Sequence, residues 1–216
     1  ITVEGSDGSG KTSFINFAIE YLKEKGYKVI TTREPGGTDF SEKVRELLFD
    51  SSNDIDAKTE SLLFCASRRD HIVKKILPYV NDGYIVICDR FVDSSVAYQS
   101  YGRGLNKQDI LDINAYATDN LEPDLTLYFC VDVEVGLART KNRDDNNHFT
   151  GSLKEHNDET CMYKAEHIFR HLVSFMCHWT IHEIVGESDS LVKTFPFPRM
   201  FRKRSLLFLS LHMSCL

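Results

Sequence analysis

The sequence predicts an α/β domain of three layers, with helices on both faces of a parallel sheet. Three observations predict it. Apolar runs of strand length recur at Ile1–Glu4, Tyr27–Thr32, Tyr84–Cys88 and Leu125–Val131. Helical patterns lie between them, as parallel strands joined by crossovers require. The chain has 216 residues, 42% of them hydrophobic and 27% charged, which suits one ordinary domain and excludes a disordered chain.

Each element has its own warrant. Ile1–Glu4 reads as the end of a buried strand. From Thr12 to Lys25, Phe14, Ile15, Phe17, Ala18, Ile19, Tyr21 and Leu22 recur near a 3.6-residue period, so a helix is expected. Gly26 supplies its left-handed stop. Tyr27–Thr32 is the second strand, broken by Pro35-Gly36-Gly37. A long helical pattern runs from Lys58 to Val80, with Asp56 as N-cap. Ser61, Phe64, Arg68, His71 and Lys75 fall on one of its faces. Gly83 ends this region and Tyr84–Cys88 is the third strand. Asn106 caps a further helix through Leu121, with Asp109 at its third position. Leu125–Val131 is the fourth strand, and Glu134–Lys141 begins another helix. Residues 141–157 are polar and loop-like, and 159–185 read as helical. From Ser188 the pattern is irregular, with a basic cluster at Arg199, Arg202, Lys203 and Arg204 before a short apolar run.

Composition narrows the function. The net charge of −6 argues against a general nucleic-acid binder. No apolar stretch of about 20 residues exists, so no membrane partner is expected. Six cysteines include no C-x-x-C pair, and Cys65, Cys88 and Cys130 sit in apolar runs. Reduced core thiols, and hence a cytoplasmic protein, are the expectation.

One motif carries chemistry directly. Gly5-Ser6-Asp7-Gly8-Ser9-Gly10-Lys11-Thr12 fits G-x-x-x-x-G-K-[ST], with a strand before it and a helix after it. Its glycines let successive N–H groups turn inward around phosphate oxygens, and the helix start adds its positive end. Lys11 then reaches the β- and γ-phosphates of a nucleoside triphosphate, and the Thr12 hydroxyl ligates magnesium. No N-K-x-D base-reading motif of GTPases is present. Four further clusters fall where a parallel sheet presents its carboxyl ends. They are Thr32–Thr38, Phe64 with Ser67-Arg68-Arg69 and His71, Asp89-Arg90-Phe91 with Asp93–Gln99, and Gly102-Arg103-Gly104. His71 is read as a packed or solvent-facing residue.

Jointly, E-G-x-D-G-S-G-K-T, T-R-E-P-G-G-T, L-L-F-x-A-S-R-R-x-H and D-R-F-x-D-S-S-x-A-Y-Q resemble bacterial thymidylate kinase. Pro123–Tyr128 and Glu134–Arg139 continue the match over roughly residues 1–145. The resemblance implies a P-loop kinase fold with a five-stranded parallel sheet, and transfer of the ATP γ-phosphoryl to dTMP with Mg2+. It also implies a homodimer. The whole chain, 1–216, would be one such domain with a lid at about 139–156 and a poorly matching tail at 188–216.

Phosphoryl transfer is mainly positioning and charge neutralisation, so two anions approaching each other need several cations. Lys11 and magnesium would serve the donor. By resemblance, Arg45 and Arg90 would hold the dTMP phosphate, and Glu34 matches an acidic residue near sugar and metal. Asp89 is placed to join the magnesium shell or orient the acceptor. Phe64 would stack on thymine, Arg68 would donate to a carbonyl, and Gln99 would accept from N3–H with Ser95 assisting. For the lid, Arg143 and Arg139 are the candidate cations. The family usually carries an arginine and then an acidic residue near the end of this lid, where His148 and Thr150 stand. A neutral imidazole does not replace a guanidinium. Two alternatives therefore stay open: a catalytically silent nucleotide-binding homologue, or a kinase for another nucleoside or nucleotide.

Overall fold

The computed structural model describes residues 1–141 and 205–210. Its centre is a parallel sheet in the order β2-β3-β1-β4-β5. The strands are β1 (Thr2–Gly5), β2 (Val29–Arg33), β3 (Ile85–Asp89), β4 (Leu125–Cys130) and β5 (Ser205–Ser210). The short apolar run of the tail is thus a strand, registered on β4 from Leu125↔Ser205 to Cys130↔Ser210. Because the strands are parallel, Gly5, Arg33 and Asp89 end on one edge, with Arg33 opposite Asp89.

Alternation along the strands sends successive side chains to opposite faces. Ile85 and Ile87 join Val3, Val29, Leu127 and Phe129 under helix α1 (Lys11–Glu24), which contributes Phe14, Ile15, Ala18, Ile19 and Leu22. Val86 points the other way, to Ile72, Ile76 and Phe91. These two packed faces make the three layers. Burying a side chain such as Ile72 or Phe129 contributes about 1.5–3 kcal/mol relative to exposure.

The long helical pattern resolves into α3 (Ala57–His71), a π-helical turn at Ile72–Ile76 and α4 (Leu77–Asn81). Asp56 caps α3 through Lys58 and Thr59 N–H, as expected. Within the π turn, the Leu77 N–H reaches Ile72 O, five residues back, just before Pro78. Two helices lack a counterpart in the sequence reading. They are α2 (Asp39–Phe49) and α5 (Val92–Ser95), the latter continuing as a π-helical turn through Gly102. Helix α6 (Lys107–Thr118) ends three residues before the expected Leu121, because Asp119 and Asn120 turn left-handed. Helix α7 (Val133–Lys141) follows β4. No helix of the described residues is long and apolar enough to cross a membrane.

Candidate active site

The phosphate loop leaves the end of β1 and enters α1. Helices α2, α3 and α6 each have an N-cap side chain that takes first-turn N–H groups: Thr38, Asp56 and Asn106. The cap of α1 is Gly10, in the left-handed conformation and without a side chain to accept. First-turn donors of α1 are thereby left for an anion, at the positive end of the helix. Gly8 is also left-handed, and a Cβ there would stand 2.3 Å from Gly136 O. The loop therefore rests backbone against backbone on α7, and Arg139 donates to Gly8 O at 3.1 Å.

Lys11 is buried, with Nζ donating to Gly5 O at 2.9 Å and Ser6 O at 2.7 Å. Burial, then the neighbouring Arg90 charge, lowers its pKa to about 8. Thr12 and Asp89 line one cleft beside the loop. Asp89 Oδ1 is buried and has no hydrogen-bond partner among the described residues. A hydroxyl and an orphaned carboxylate oxygen are the hard donors magnesium takes, so these residues fit the ion.

A second cavity lies behind the loop. Of the seven residues expected on the acceptor side, Glu34, Phe64, Arg68, Arg90, Ser95 and Gln99 line it. Arg45 lies at its edge, where Nη1 donates to Pro35 O at 3.0 Å and the guanidinium covers Phe49. Phe64 is also packed on Val44 and Leu48, which joins the cavity wall to the contact between α2 and α3.

Arg68 is the best-held side chain here. Its Nε donates to Glu34 Oε2 at 2.6 Å, Nη1 to Ser95 Oγ at 3.0 Å and to Asn114 Oδ1, and Nη2 to Phe91 O at 3.0 Å. A guanidinium has five N–H groups. Four are engaged, and one Nη2 N–H has no partner among the described residues. Glu34 is fixed in turn by His71 Nδ1 at 2.9 Å, whose Nε2 lies 2.6 Å from Thr32 Oγ1. With a carboxylate at Nδ1, that nitrogen donates to Glu34, while Nε2 shares its hydrogen bond with the threonine hydroxyl. His71 is fully buried and orients Glu34, a role beyond simple packing. Gln99 Nε2 donates to Glu60 Oε1 at 3.1 Å.

Arg90 lines the second cavity and reaches back to the loop. It has a left-handed backbone, donates through Nη1 to Gly5 O at 3.0 Å and pairs through Nη2 with Asp7. Beneath it, Glu4 accepts from Phe91 N–H at 2.7 Å and from the Ser94 hydroxyl at 2.5 Å. Burial, then the Asp93 charge, raises the Glu4 pKa to about 7.

Glu60, Arg103, Asn114 and His71 complete the site; the sequence reading set Arg103 and His71 within its clusters without a binding role and did not single out Glu60 or Asn114. Each acts through a partner 37 or more positions away, as Asn114 does with Arg68, so local spacing carries no signal for these pairings. Arg143, His148 and Thr150 of the expected lid lie outside the described residues, and only its first positions, 139–141, fall in α7.

Comparison with known proteins identifies the family. Among solved structures, the thymidylate kinase from Ehrlichia chaffeensis is similar at 36% identity and a TM-score of 0.58, over 79% of this chain and 96% of its own. The family model for thymidylate kinase matches residues 3–180, most of the sequence. A nucleotide cradle beside a cavity holding one open guanidinium N–H and an oriented amide is thus found in a chain that belongs to the thymidylate kinase family.

Proposed function

We propose a division of labour by which this chain performs its family's reaction, transfer of the γ-phosphoryl of ATP to dTMP, giving dTDP and ADP. The loop amides from Gly5 to Thr12, the uncapped start of α1 and Lys11 hold the ATP phosphates. Thr12 and Asp89 would hold Mg2+, which shields the phosphate charge when bound. Arg90 lies between the loop and the cavity, where it can bind the dTMP phosphate with help from Arg45. Phe64 covers one face of thymine, Arg68 donates its remaining N–H to a base carbonyl, and Gln99 accepts from N3–H. Glu34 fixes Arg68 and faces the sugar end of the cavity. Arg143 supplies further positive charge from the lid.

The observation that carries this reading is the state of Arg68: a buried guanidinium held at four points, with one donor left over at a cavity that Phe64 and Gln99 also line. Such a donor–acceptor set discriminates strongly, because a wrong base leaves buried groups unpaired. The test is ADP release with ATP and Mg2+ across dTMP, dUMP, dCMP and dGMP. The expected order places dTMP first, and folded protein that releases no ADP with any of the four ends the proposal.

Two features bear on the wider setting. Leu62 on α3 and Tyr116 on α6 are 58% and 88% exposed, apolar area that a homodimer would cover. Cys65 and Cys88 are free and buried, which suits a reducing cytoplasm.

A further inference from the structure

An amide side chain can present either its NH2 or its carbonyl to a ligand, according to which end its neighbours claim. Gln99 lines the base cavity, so its choice has consequences. Its Nε2 is claimed by Glu60 Oε1 at 3.1 Å. Glu60 Oε2 accepts from Arg103 Nε at 3.0 Å and Nη2 at 2.5 Å. A carboxylate can only accept, so Glu60 draws the NH2 end of Gln99 and never its oxygen. Among the described residues no hydrogen bond is made to the Gln99 side-chain oxygen, which leaves it for the base.

We propose that Glu60, braced by Arg103, fixes the Gln99 amide so that an acceptor faces the base, and that this sets the preference for pyrimidines carrying N3–H over cytosine. The inference rests on the reading of this cavity as the thymine site. Thymine offers an acceptor at O4 and a donor at N3, matching the Arg68 N–H and the Gln99 oxygen. Cytosine offers a donor at N4 and an acceptor at N3, so it meets like with like at both points. Uracil has the same edge as thymine and is not distinguished by this pair.

The test is Glu60→Gln in the full chain, with kcat/KM measured for dTMP, dUMP and dCMP. In the variant, the new amide places its single carbonyl oxygen on Arg103 and turns its NH2 to Gln99, which rotates to meet it. The NH2 of Gln99 then faces the base. The expected result is a fall of about 10–100-fold in the dTMP to dCMP ratio. The dTMP to dUMP ratio and the KM for ATP stay as in the parent. A purely structural role would lower all three substrates together. Folded variant with the parental dTMP to dCMP ratio overturns the proposal. Should Glu60→Gln fail to fold, Arg103→Met carries the test: the carboxylate loses its brace and the ratio falls several-fold, while an unchanged ratio overturns the proposal. Gln99→Leu separates the two levels. If it leaves base preference intact, the thymine-site reading itself fails; if it alters preference while Glu60→Gln does not, only the role of Glu60 fails.

Discussion

Replacing Arg68 by methionine keeps the apolar stem and removes the charge. The side chains of Arg68 and Glu34 are 2% and 3% exposed, so the Glu34 carboxylate is left in the interior without its cation. His71 Nδ1 still donates to it, but Asn114 Oδ1, Ser95 Oγ and Phe91 O each lose a donor. Removing one partner of a buried ion pair costs about 3–5 kcal/mol, out of a total stability of about 5–15 kcal/mol. With a urea dependence of about 2 kcal/mol per molar, the unfolding midpoint should fall by about 2 M. Equilibrium urea unfolding followed by circular dichroism reads this directly. Adding Glu34→Gln to the same chain removes the stranded charge and should recover about 1–3 kcal/mol. A cost below about 1 kcal/mol for Arg68→Met, or a double variant no more stable than the single, would refute the reasoning.

Three further outcomes are expected. Lys11→Ala should lower kcat by about 10²–10³-fold or more while the protein still melts cooperatively, and turnover at the parental rate would remove the phosphate assignment. Glu4, whose carboxyl pKa rises on folding from 4.5 to about 7, favours the folded state only while protonated. That contribution is complete below about pH 4.5 and is lost as pH rises to about 7, so Glu4→Gln should flatten the fall in stability across this window in urea titrations. Gly136→Ala gains about 1 kcal/mol of helix propensity but sets a methyl 2.7 Å from Asp7 O, an overlap that costs about 1–3 kcal/mol. The loop must move, so calorimetry should show weaker ATP binding with dTMP binding unchanged; parental ATP affinity would show the contact to be slack.

Strands β1 to β4 were legible because each is an apolar run, and the phosphate loop because its glycines and lysine are contiguous, whereas β5 lay in a stretch that read as irregular. Helix α2 was missed because one of its three buried positions is Ser41, which bonds Ser67 O rather than packing as a hydrophobe. Its start was nonetheless written in Thr38, Asp39 and Glu42, a cap and an acidic first turn. The helix after β3 hides for a similar reason: Ser94, Ser95 and Gln99 are buried polar positions bonded to Glu4, Arg68 and Glu60, which interrupt the apolar stripe. At the site, the residues proposed to touch ligand stand in contiguous motifs, whereas Glu60 and Asn114 hold such residues from other elements. Their partnerships appear only when the sheet order brings the elements together.

The cations at the loop are already engaged in the resting protein. Lys11 rests on two of the loop's own carbonyl oxygens, and Arg90 shares one of them, Gly5 O, while pairing with the Asp7 carboxylate. Arrival of a triphosphate is therefore a change of partners, from internal oxygens to phosphate oxygens, with dehydration of both cations completed during folding. Affinity then reflects the difference between two dry hydrogen-bond sets. It should weaken less with added salt than it would for lysines waiting in open solvent.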